Sequence, residues 1–399
     1  MDILYLAISY PKGHDNLYKT LMKSLVKRGH SVTVVVADEP RKINKTTFQI
    51  EDGINVLRVK VGNQLKANRI EKGITNLKIE PFVIRAIKKY LSNEAFDIVT
   101  YSTPPVNMAN VVKYCKERFQ VRTFLMLKDI FPQNAVDMGM IKEGNLLYKY
   151  FKRKERTLYN NSDIIGCMSQ ANINYILRNN PEVDEGKVIL FPNSIKIQSD
   201  SVEPDNPDLS VREELGIPKE KTVFVFGGNL GKPQGIDFLT KAINNLEDYK
   251  GAYFVIVGSG TEKRRIENKL GEATNTMVLD KMEKEKYERF ITECDVGIIS
   301  LDHRFTIPNY PSRTLSYMYK SLPILATTDR NTDIKELVQE EAECGVWCHS
   351  DDVAAFRECV VKLSENKNLR RTLGQNGRSY LEENFSVDKS VDIIEHHFA

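Results

Sequence analysis

The stretch Val223-Phe-Val-Phe226, followed by Gly227-Gly-Asn-Leu-Gly-Lys-Pro-Gln-Gly235, decides the fold class. Its first four residues are β-branched or aromatic, as in a buried strand, and a helical pattern begins near Ile236. A strand, a glycine-rich loop and a helix in succession present backbone N–H groups and a helix N-terminus to an anion. The alternative is a turn that binds nothing, since the loop fits neither the Walker pattern nor G-x-G-x-x-G.

The rest of the chain repeats this alternation of short apolar runs with helical patterns, which predicts an α/β protein with doubly wound parallel sheets. In the first half we predict strands at Ile3–Ser9, Ser31–Ala37, Asn55–Val61, Ile98–Tyr101, Arg122–Leu127, Ile164–Met168 and Val188–Phe191, and a helix at Asn16–Arg28. In the second half we predict strands at Thr222–Phe226, Ala252–Val257, Thr276–Leu279, Val296–Ser300 and Ile324–Ala326. Helices are predicted there at Ile236–Leu246, Thr261–Leu270, Lys284–Glu293, Leu315–Lys320, 353–383 and Val387–Phe398.

The polar stretch Ser199–Pro207 has two prolines and no periodicity, which is typical of a linker. A chain of 399 residues is also long for one core. We therefore predict two Rossmann-like domains, at 1–195 and 205–384, with residues 385–399 crossing back onto the first. Two such domains would face each other across a ligand cleft at the carboxyl ends of their strands.

Composition narrows the class of protein. No run of 18 apolar residues is present, and the opening MDILYLAISYPKG lacks the basic leader and cleavage site of a signal peptide. The cysteines are scattered, which predicts free thiols in a reducing compartment. Cys344, Cys348 and His349 are close in sequence, but no second ligand pair at zinc-site spacing accompanies them, so we expect no metal.

Charge is divided unevenly between the two halves. Residues 1–190 hold 30 Lys and Arg against 19 Asp and Glu, whereas the whole chain has a net charge of only +3. A basic first half suggests an anionic partner, either a membrane or a nucleic acid. Two predicted helices, Phe82–Leu91 and Leu146–Arg156, mix basic with aromatic and apolar residues and could lie at a membrane interface. Ordinary packing against the sheet, with Lys and Arg heads in solvent, is the alternative.

Further motifs follow other predicted strands. Val255-Ile-Val-Gly-Ser-Gly260 is a second glycine turn, and Pro311-Ser-Arg313 at a helix start offers a hydroxyl, backbone donors and a guanidinium suited to phosphate. The alternative for the latter is a Ser312 N-cap beside a surface arginine.

In the first half, Asp129 ends a strand and could take a proton from a hydroxyl, or could simply form an Asx turn. Gly13 and His14 follow the first strand, where the histidine could titrate near neutrality.

In the order and spacing of its motifs the chain resembles family-4 glycosyltransferases of the GT-B type, in particular those that build bacterial capsule and O-antigen repeat units. The resemblance extends over nearly all of the chain. The motifs that carry it are Ser102-Thr-Pro-Pro105, Asp129-Ile-Phe-Pro132, Lys187-Val-Ile-Leu-Phe-Pro-Asn193, Gly228-Asn-Leu-Gly-Lys-Pro-Gln-Gly235, Val257-Gly-Ser-Gly260 and Pro311-Ser-Arg313.

The resemblance implies retaining transfer of a hexosyl or N-acetylhexosaminyl group from a nucleotide sugar, commonly a UDP-sugar, with no essential metal or other cofactor. It implies that the second domain holds the donor and the first the acceptor. The donor-binding residues would be Gly228, Asn229, Gly231, Gln234, Gly258, Lys281, Ser312, Arg313 and Ser316. The catalytic candidates would be Asp129 and His14, with Gly13, Ser102 and Lys128 on the acceptor side. The acceptor would be a saccharide on a polyprenyl-diphosphate carrier, at the cytoplasmic face of an anionic membrane.

The chain also departs from the family pattern. Many members carry two glutamates separated by seven residues, where this chain has Pro308 and Ser316. Asn229 and Gln234 stand where relatives place basic residues, and Arg313 could supply that charge. Two alternatives therefore stay open, a GT-B UDP-sugar epimerase and a catalytically silent binding protein. A nucleic-acid binder is suggested by charge alone, without a recognition motif, and we expect no nucleic-acid partner.

Overall fold

The computed structural model describes residues 1–7, 9–38, 43–62, 69–197 and 210–399, with the segment 69–78 described as backbone only. The chain forms two compact units, Met1–Lys196 with Ser386–Ala399, and Ile197–Phe385. The predicted linker Ser199–Pro207 lies outside the described residues. Each unit is a Rossmann-like α/β layer structure, as the alternation of apolar runs and helical patterns predicts.

The first unit is built on an eight-stranded sheet with the strand order β3-β4-β2-β1-β5-β6-β7-β8, in which only the β3–β4 pair is antiparallel. Its strands are β1 Asp2–Ala7, β2 Ser31–Asp38, β3 Thr47–Glu51, β4 Ile54–Lys60, β5 Ile98–Thr103, β6 Arg122–Leu127, β7 Ile164–Cys167 and β8 Val188–Leu190. Its helices are α1 Leu17–Lys27, α2 Arg69–Tyr90, α3 Ala109–Phe119, α4 Gln133–Asp137, α5 Leu146–Asn160 and α6 Gln170–Asn179.

The second unit is built on a six-stranded parallel sheet with the order β11-β10-β9-β12-β13-β14. Its strands are β9 Thr222–Asn229, β10 Ala252–Ser259, β11 Thr276–Leu279, β12 Val296–Ser300, β13 Ile324–Thr328 and β14 Gly345–His349. Its helices are α7 Val211–Glu214, α8 Ile236–Asn244, α9 Lys263–Leu270, α10 Lys284–Thr292, α11 Arg313–Tyr319, α12 Ile334–Glu336, α13 Val353–Glu365 and α14 Lys367–Asn384.

The central strands β1, β5, β9 and β12 are buried along most of their length because helices cover both faces of the sheets. In β9 the segment Thr222–Gly227 is buried, and Phe224, Phe226 and Phe254 belong to one core cluster of the second unit. The last helix, α15 Val387–Phe398, packs against α1 of the first unit, with Val391 and Ile394 in the core cluster of that unit.

The helices within the described ranges include none that combines the length and the apolar character needed to cross a membrane.

Several elements of the structure differ from the prediction in their existence or in their bounds. The prediction missed β3, in which Phe48 and Ile50 are exposed together with Gln49, and β14, which holds Cys348 and His349 as ordinary strand residues. The segment predicted as helical from 353 to 383 is two helices that meet at Asn366, whose side chain caps α14. Both glycine segments were predicted as loops, but β9 continues to Asn229 and β10 to Ser259. Glycine lowers strand propensity, and tertiary pairing has overridden that preference here.

Candidate functional site

The two glycine segments of the second unit form one paired platform. Strands β9 and β10 stay in register to their ends, so that Gly258 lies opposite Gly228 and Ser259 opposite Asn229. A Cβ atom at Gly258 would lie 2.0 Å from the backbone oxygen of Gly228, which no real side chain tolerates. Glycine at position 258 therefore keeps the two strand ends together, and the carboxyl edge of the sheet there is bare backbone.

The loop that follows β9 is held to the neighbouring strand ends. The Ser300 hydroxyl donates to the Gln234 carbonyl at 2.8 Å, and the Asp302 N–H donates to the Pro233 carbonyl at 3.1 Å. Gly235 has a φ of +57°, and a Cβ atom there would lie 2.9 Å from the Leu301 carbonyl oxygen. These bonds fix the backbone of Pro233 and Gln234 directly before the start of α8.

Arg313 lies beside this platform and has the side chain of the second unit that is best suited to binding an anion. Its Nη2 donates to Gln234 Oε1 at 2.7 Å, and its guanidinium carbon stands 4.4 Å from the centroid of the Phe226 ring. The missing Cβ of Gly228 would lie 3.7 Å from the same Nη2. The Nη1 atom is buried and finds no acceptor in the described part of the chain, and burial lowers the pKa of the guanidinium. A buried, unsatisfied charged donor next to bare backbone is suited to binding an anion.

The alternative reading of Pro311-Ser-Arg313 is wrong. Ser312 stands at the cap position of α11 but makes no side-chain capping bond, and the half-buried Arg313 bonds to Gln234 and stacks on Phe226 instead of extending into solvent. Pro311 directly precedes the cap residue, where its missing N–H costs the helix no hydrogen bond. Ser312 and Ser316 are both exposed, one turn apart on α11. Their hydroxyls are thus available on the surface that adjoins Arg313.

Two tyrosines support the platform and were not predicted. The Tyr317 hydroxyl accepts from the Gly227 N–H at 3.3 Å and donates to the Val225 carbonyl at 3.2 Å. Tyr287 packs so closely on Gly227 that a Cβ there would lie 1.9 Å from its hydroxyl oxygen. The spacing of Arg313 and Tyr317, four residues apart on one helix, was the available signal, because such residues share a face.

The remaining donor-side residues are less closely grouped. Asn229 is exposed at the end of β9. A Cβ atom on the buried Gly231 would lie 3.1 Å from the Asn229 Nδ2 atom. Lys281 is exposed on the loop after β11, at the edge of the sheet and apart from the Arg313 group. The structure thus brings together Gly228, Gln234, Gly258 and Arg313, with Asn229, Gly231, Ser312 and Ser316 around them.

In the first unit, Asp129 follows β6 in an unusual environment. Its Oδ2 atom accepts from Asn134 Nδ2 at 2.6 Å, whereas Oδ1 is buried with no partner among the described residues. Burial raises the pKa of Asp129 to about 6, from an ordinary value of 3.8. The Thr103 hydroxyl at the end of β5 donates to the Asp129 carbonyl at 3.3 Å. A carboxyl oxygen that is buried and unsatisfied can accept a proton from a bound hydroxyl.

Lys128 precedes Asp129 and is tied to a different strand end. Its ammonium donates to the Phe191 carbonyl at 2.8 Å and lies 4.7 Å from the centroid of the Phe191 ring. Burial lowers the pKa of Lys128 to about 7. Burial thus brings the pKa values of two adjacent residues toward neutrality at the carboxyl edge of the first sheet, as is common in functional sites.

The other predicted residues of the first unit are distributed around this edge. Ser102 is half-buried in β5, and its hydroxyl lies 3.2 Å from the Tyr5 hydroxyl. Gly13 and His14 are exposed at the bend after β1, and Gly13 has open space around its missing Cβ. Nothing in the described contacts places His14 beside Asp129. Across the ranges that the structure describes, no group of three or more His, Cys, Asp or Glu is arranged to hold a metal ion.

Replacing Asp129 with Asn should stabilise the protein at neutral pH. The folded-state pKa of Asp129 is raised, so its contribution to stability is present below about pH 4 and is lost as pH rises through about 6. The shift of about two units corresponds to roughly 3 kcal/mol when the carboxylate is ionised. We expect D129N to be more stable than the parent at pH 8 and equal to it at pH 4, by urea denaturation. A destabilised D129N at pH 8 would show that Oδ1 is not an unsatisfied, desolvated oxygen.

Two Rossmann-like units in one chain, each built on a largely parallel sheet, define the GT-B architecture. Residues 11–199 match the family model described as Glycosyltransferase Family 4, and residues 209–380 match that of Glycosyl transferases group 1. On these matches the chain is a glycosyltransferase of the GT-B type.

Individual proteins agree with this assignment. The probable glycosyltransferase WbjE of Pseudomonas aeruginosa is 24% identical over 307 residues, which are 74% of this chain and 72% of WbjE. Among solved structures, WaaG, a glycosyltransferase involved in lipopolysaccharide biosynthesis, has a TM-score of 0.66 at 14% identity, with 98% of this chain and 99% of WaaG covered. HepE from Anabaena, solved in complex with UDP, has a TM-score of 0.68 at 15% identity, with 100% of this chain and 99% of HepE covered. The two structures show a shared fold.

Proposed function

We propose that this chain is a retaining glycosyltransferase that moves a hexosyl or N-acetylhexosaminyl group from a UDP-sugar to a lipid-linked saccharide in the biosynthesis of a cell-surface polysaccharide. The observation that carries the proposal is Arg313 Nη1, a buried donor beside the bare backbone of Gly228 that has no acceptor among the described residues. A diphosphate oxygen is the ligand that this geometry fits best, since a guanidinium and backbone N–H groups together bind phosphate. The UDP bound in the HepE structure supports the choice of nucleotide.

On the donor side, negative charge builds on the departing diphosphate as the glycosidic bond breaks. Arg313 is already oriented toward that charge by its bond to Gln234 and by the Phe226 ring. Donors that are fixed before the reaction lower the barrier, because no reorganisation is needed when the charge appears. Lys232 is exposed on the same loop and adds a mobile positive charge. No step of this mechanism passes through a metal or another cofactor.

On the acceptor side, Asp129 is the proposed proton acceptor for the attacking hydroxyl. With a pKa of about 6 its carboxyl group is mostly ionised at pH 7 and still basic enough to accept a proton. Lys128 fixes the adjacent backbone through Phe191, and Ser102 lies on the neighbouring strand β5. No covalent enzyme nucleophile is required, because the hydroxyl attacks from the face that UDP leaves.

The acceptor is proposed to be a saccharide on a polyprenyl-diphosphate carrier, reached from the cytoplasmic face of the membrane. The excess of Lys and Arg in residues 1–190 supports peripheral association with anionic lipid. The role of WaaG in lipopolysaccharide biosynthesis supports a cell-surface product. No nucleic-acid partner is part of the proposal.

Binding of the donor can be tested by thermal unfolding with a panel of nucleotides and nucleotide sugars. At one hundred times its Kd, a ligand stabilises the unit that binds it by about 2.7 kcal/mol. For a folding unit of roughly 150–250 residues, this raises the Tm by roughly 5–10 °C. We expect such a shift with UDP and with one UDP-sugar. Absence of any shift across the panel would favour a silent binding protein. A UDP-sugar that changes its configuration without acceptor, followed by NMR, would favour an epimerase.

A further inference from the structure

Arg313 is reached through an irregular loop, so its position depends on what holds that loop. Residues 301–312 connect β12 to α11, and we refer to them as the β12–α11 loop. The structure describes this loop in full, and it contains neither a helix nor a strand. Residues 329–332 follow β13 and form the β13 turn. Because β12 and β13 are adjacent parallel strands, the loop and the turn leave the sheet at the same carboxyl edge.

Two side chains of the β13 turn fix the backbone of the loop. The Asn331 side-chain amide donates to the Phe305 carbonyl at 2.5 Å. The Thr332 hydroxyl donates to the Asn309 carbonyl, also at 2.5 Å. Asn309 stands four residues before Arg313, so the second bond holds the chain just ahead of α11.

Asp329 organises the β13 turn. Its Oδ1 atom accepts from the Asn331 N–H at 2.7 Å and from the Thr332 N–H at 3.2 Å, so one oxygen orients both residues that contact the loop. The side chain is 1% exposed, and Oδ2 is buried with no partner among the described residues. Burial raises the pKa of Asp329 to about 6. A buried carboxyl group with one unsatisfied oxygen is unfavourable for folding, which indicates a role beyond packing.

We propose that Asp329 is a positioning residue for the donor site. Through the β13 turn it fixes the β12–α11 loop, and the loop in turn sets where Arg313 meets the donor diphosphate. A binding group that is misplaced by about 1 Å can cost a factor of a hundred in rate, so the loop has to be held accurately. The inference rests on the proposed function for its ligand and extends it to a residue that acts through the loop.

A double-mutant cycle with UDP as the probe distinguishes this role from general stabilisation of the unit. Thr332→Val removes one bond to the loop and keeps the shape of the side chain. We expect it to weaken UDP binding about fivefold in isothermal titration, because one hydrogen bond is lost. In the Arg313→Ala background the same change should alter the Kd by less than about twofold, since its effect passes through that arginine. Binding of UDP by Thr332→Val as in the parent, or an equal loss in the Arg313→Ala background, would overturn the proposal.

Thr222→Val is the matched control. The Thr222 hydroxyl donates to the Ser364 carbonyl at 3.3 Å at the amino end of β9, on the opposite edge of the same sheet. Its loss should leave UDP binding within about twofold of the parent. Asp329→Ala should lose about tenfold or more, whereas Asp329→Asn keeps an oxygen for both N–H groups and should stay within about threefold. If Asp329→Asn bound UDP as weakly as Asp329→Ala, the hydrogen-bonding role would be wrong.

Hydrogen exchange of the protein without ligand gives a readout that does not depend on UDP. The amides of residues 303–314 should exchange at least about threefold faster in Thr332→Val than in the parent, and at the parental rate in Thr222→Val. If the parent bound no UDP, the proposed function would fall. Faster exchange in Thr332→Val would then still support control of the loop by the β13 turn, and unchanged exchange would overturn that as well.

Discussion

Arg313→Ala should lose turnover by roughly 10²–10³-fold while the protein remains folded, because one preorganised donor to a developing negative charge is removed. The structure makes this the largest functional effect that we expect. The Arg313 Nη1 atom is buried and has no acceptor within the ranges that the structure describes, and its other amino group is already fixed by Gln234. Removing a buried, unsatisfied cation costs little stability, since its burial was unfavourable in the absence of a ligand. Steady-state transfer assays and thermal unfolding of the same sample separate the two effects.

The matched control is Arg357→Ala in the same unit. The Arg357 guanidinium forms two bonds of 2.7 Å to the Asp248 carboxylate at the surface, so its removal eliminates a satisfied arginine far along the chain from α11. We expect unchanged turnover in that variant. Arg313→Lys should be intermediate, because an ammonium keeps the charge but not the planar pair of donors. Turnover of Arg313→Ala within threefold of the parent would remove this residue from the site.

Gly258→Ala should destabilise the second unit by about 3 kcal/mol or more and weaken nucleotide binding with it. The added methyl group would stand 2.0 Å from the Gly228 carbonyl oxygen, which is backbone and cannot turn away. The two strand ends must then separate, and the platform beside Arg313 is lost. For a folding unit of roughly 150–250 residues, a loss of about 3 kcal/mol lowers the Tm by roughly 6–12 °C, which calorimetry can measure.

Gly13→Ala is the comparison for that measurement. Gly13 is exposed in the first unit, and no atom lies within 4 Å of its missing Cβ. Its stability should change by less than about 0.5 kcal/mol. If Gly258→Ala unfolded at the same temperature as the parent, strands β9 and β10 would not be paired as far as the glycines.

Periodicity and apolar runs were sufficient to predict the fold, because the local pattern and the tertiary structure agree along most strands. β6, β11 and β12 have the predicted bounds, since each is an apolar run that ends at a polar or glycine residue. The prediction failed where pairing partners decide the outcome. β3 has the burial pattern of an edge strand, and β9 continues through two glycines only because β10 continues beside it.

The site was predictable to the extent that its residues adjoin the glycine loop in sequence. Gly228 lies in the last residues of β9 and Gln234 in the loop after it, and Arg313 was a candidate because an arginine at a helix start is a recognisable phosphate ligand. Tyr287 and Tyr317 were missed, because a tyrosine on a helix is usually part of the core and only the three-dimensional contact with Gly227 shows its role. The unsatisfied oxygen of Asp129 is likewise a property of its surroundings, since Asn134 satisfies only the other oxygen.

The most direct test of the donor site is a crystal structure of the protein with UDP. The account predicts a diphosphate oxygen within about 3 Å of Arg313 Nη1, with the phosphates over the backbone of Gly228 at the carboxyl end of β9. UDP bound in the second unit away from Arg313, or bound only in the first unit, would contradict it.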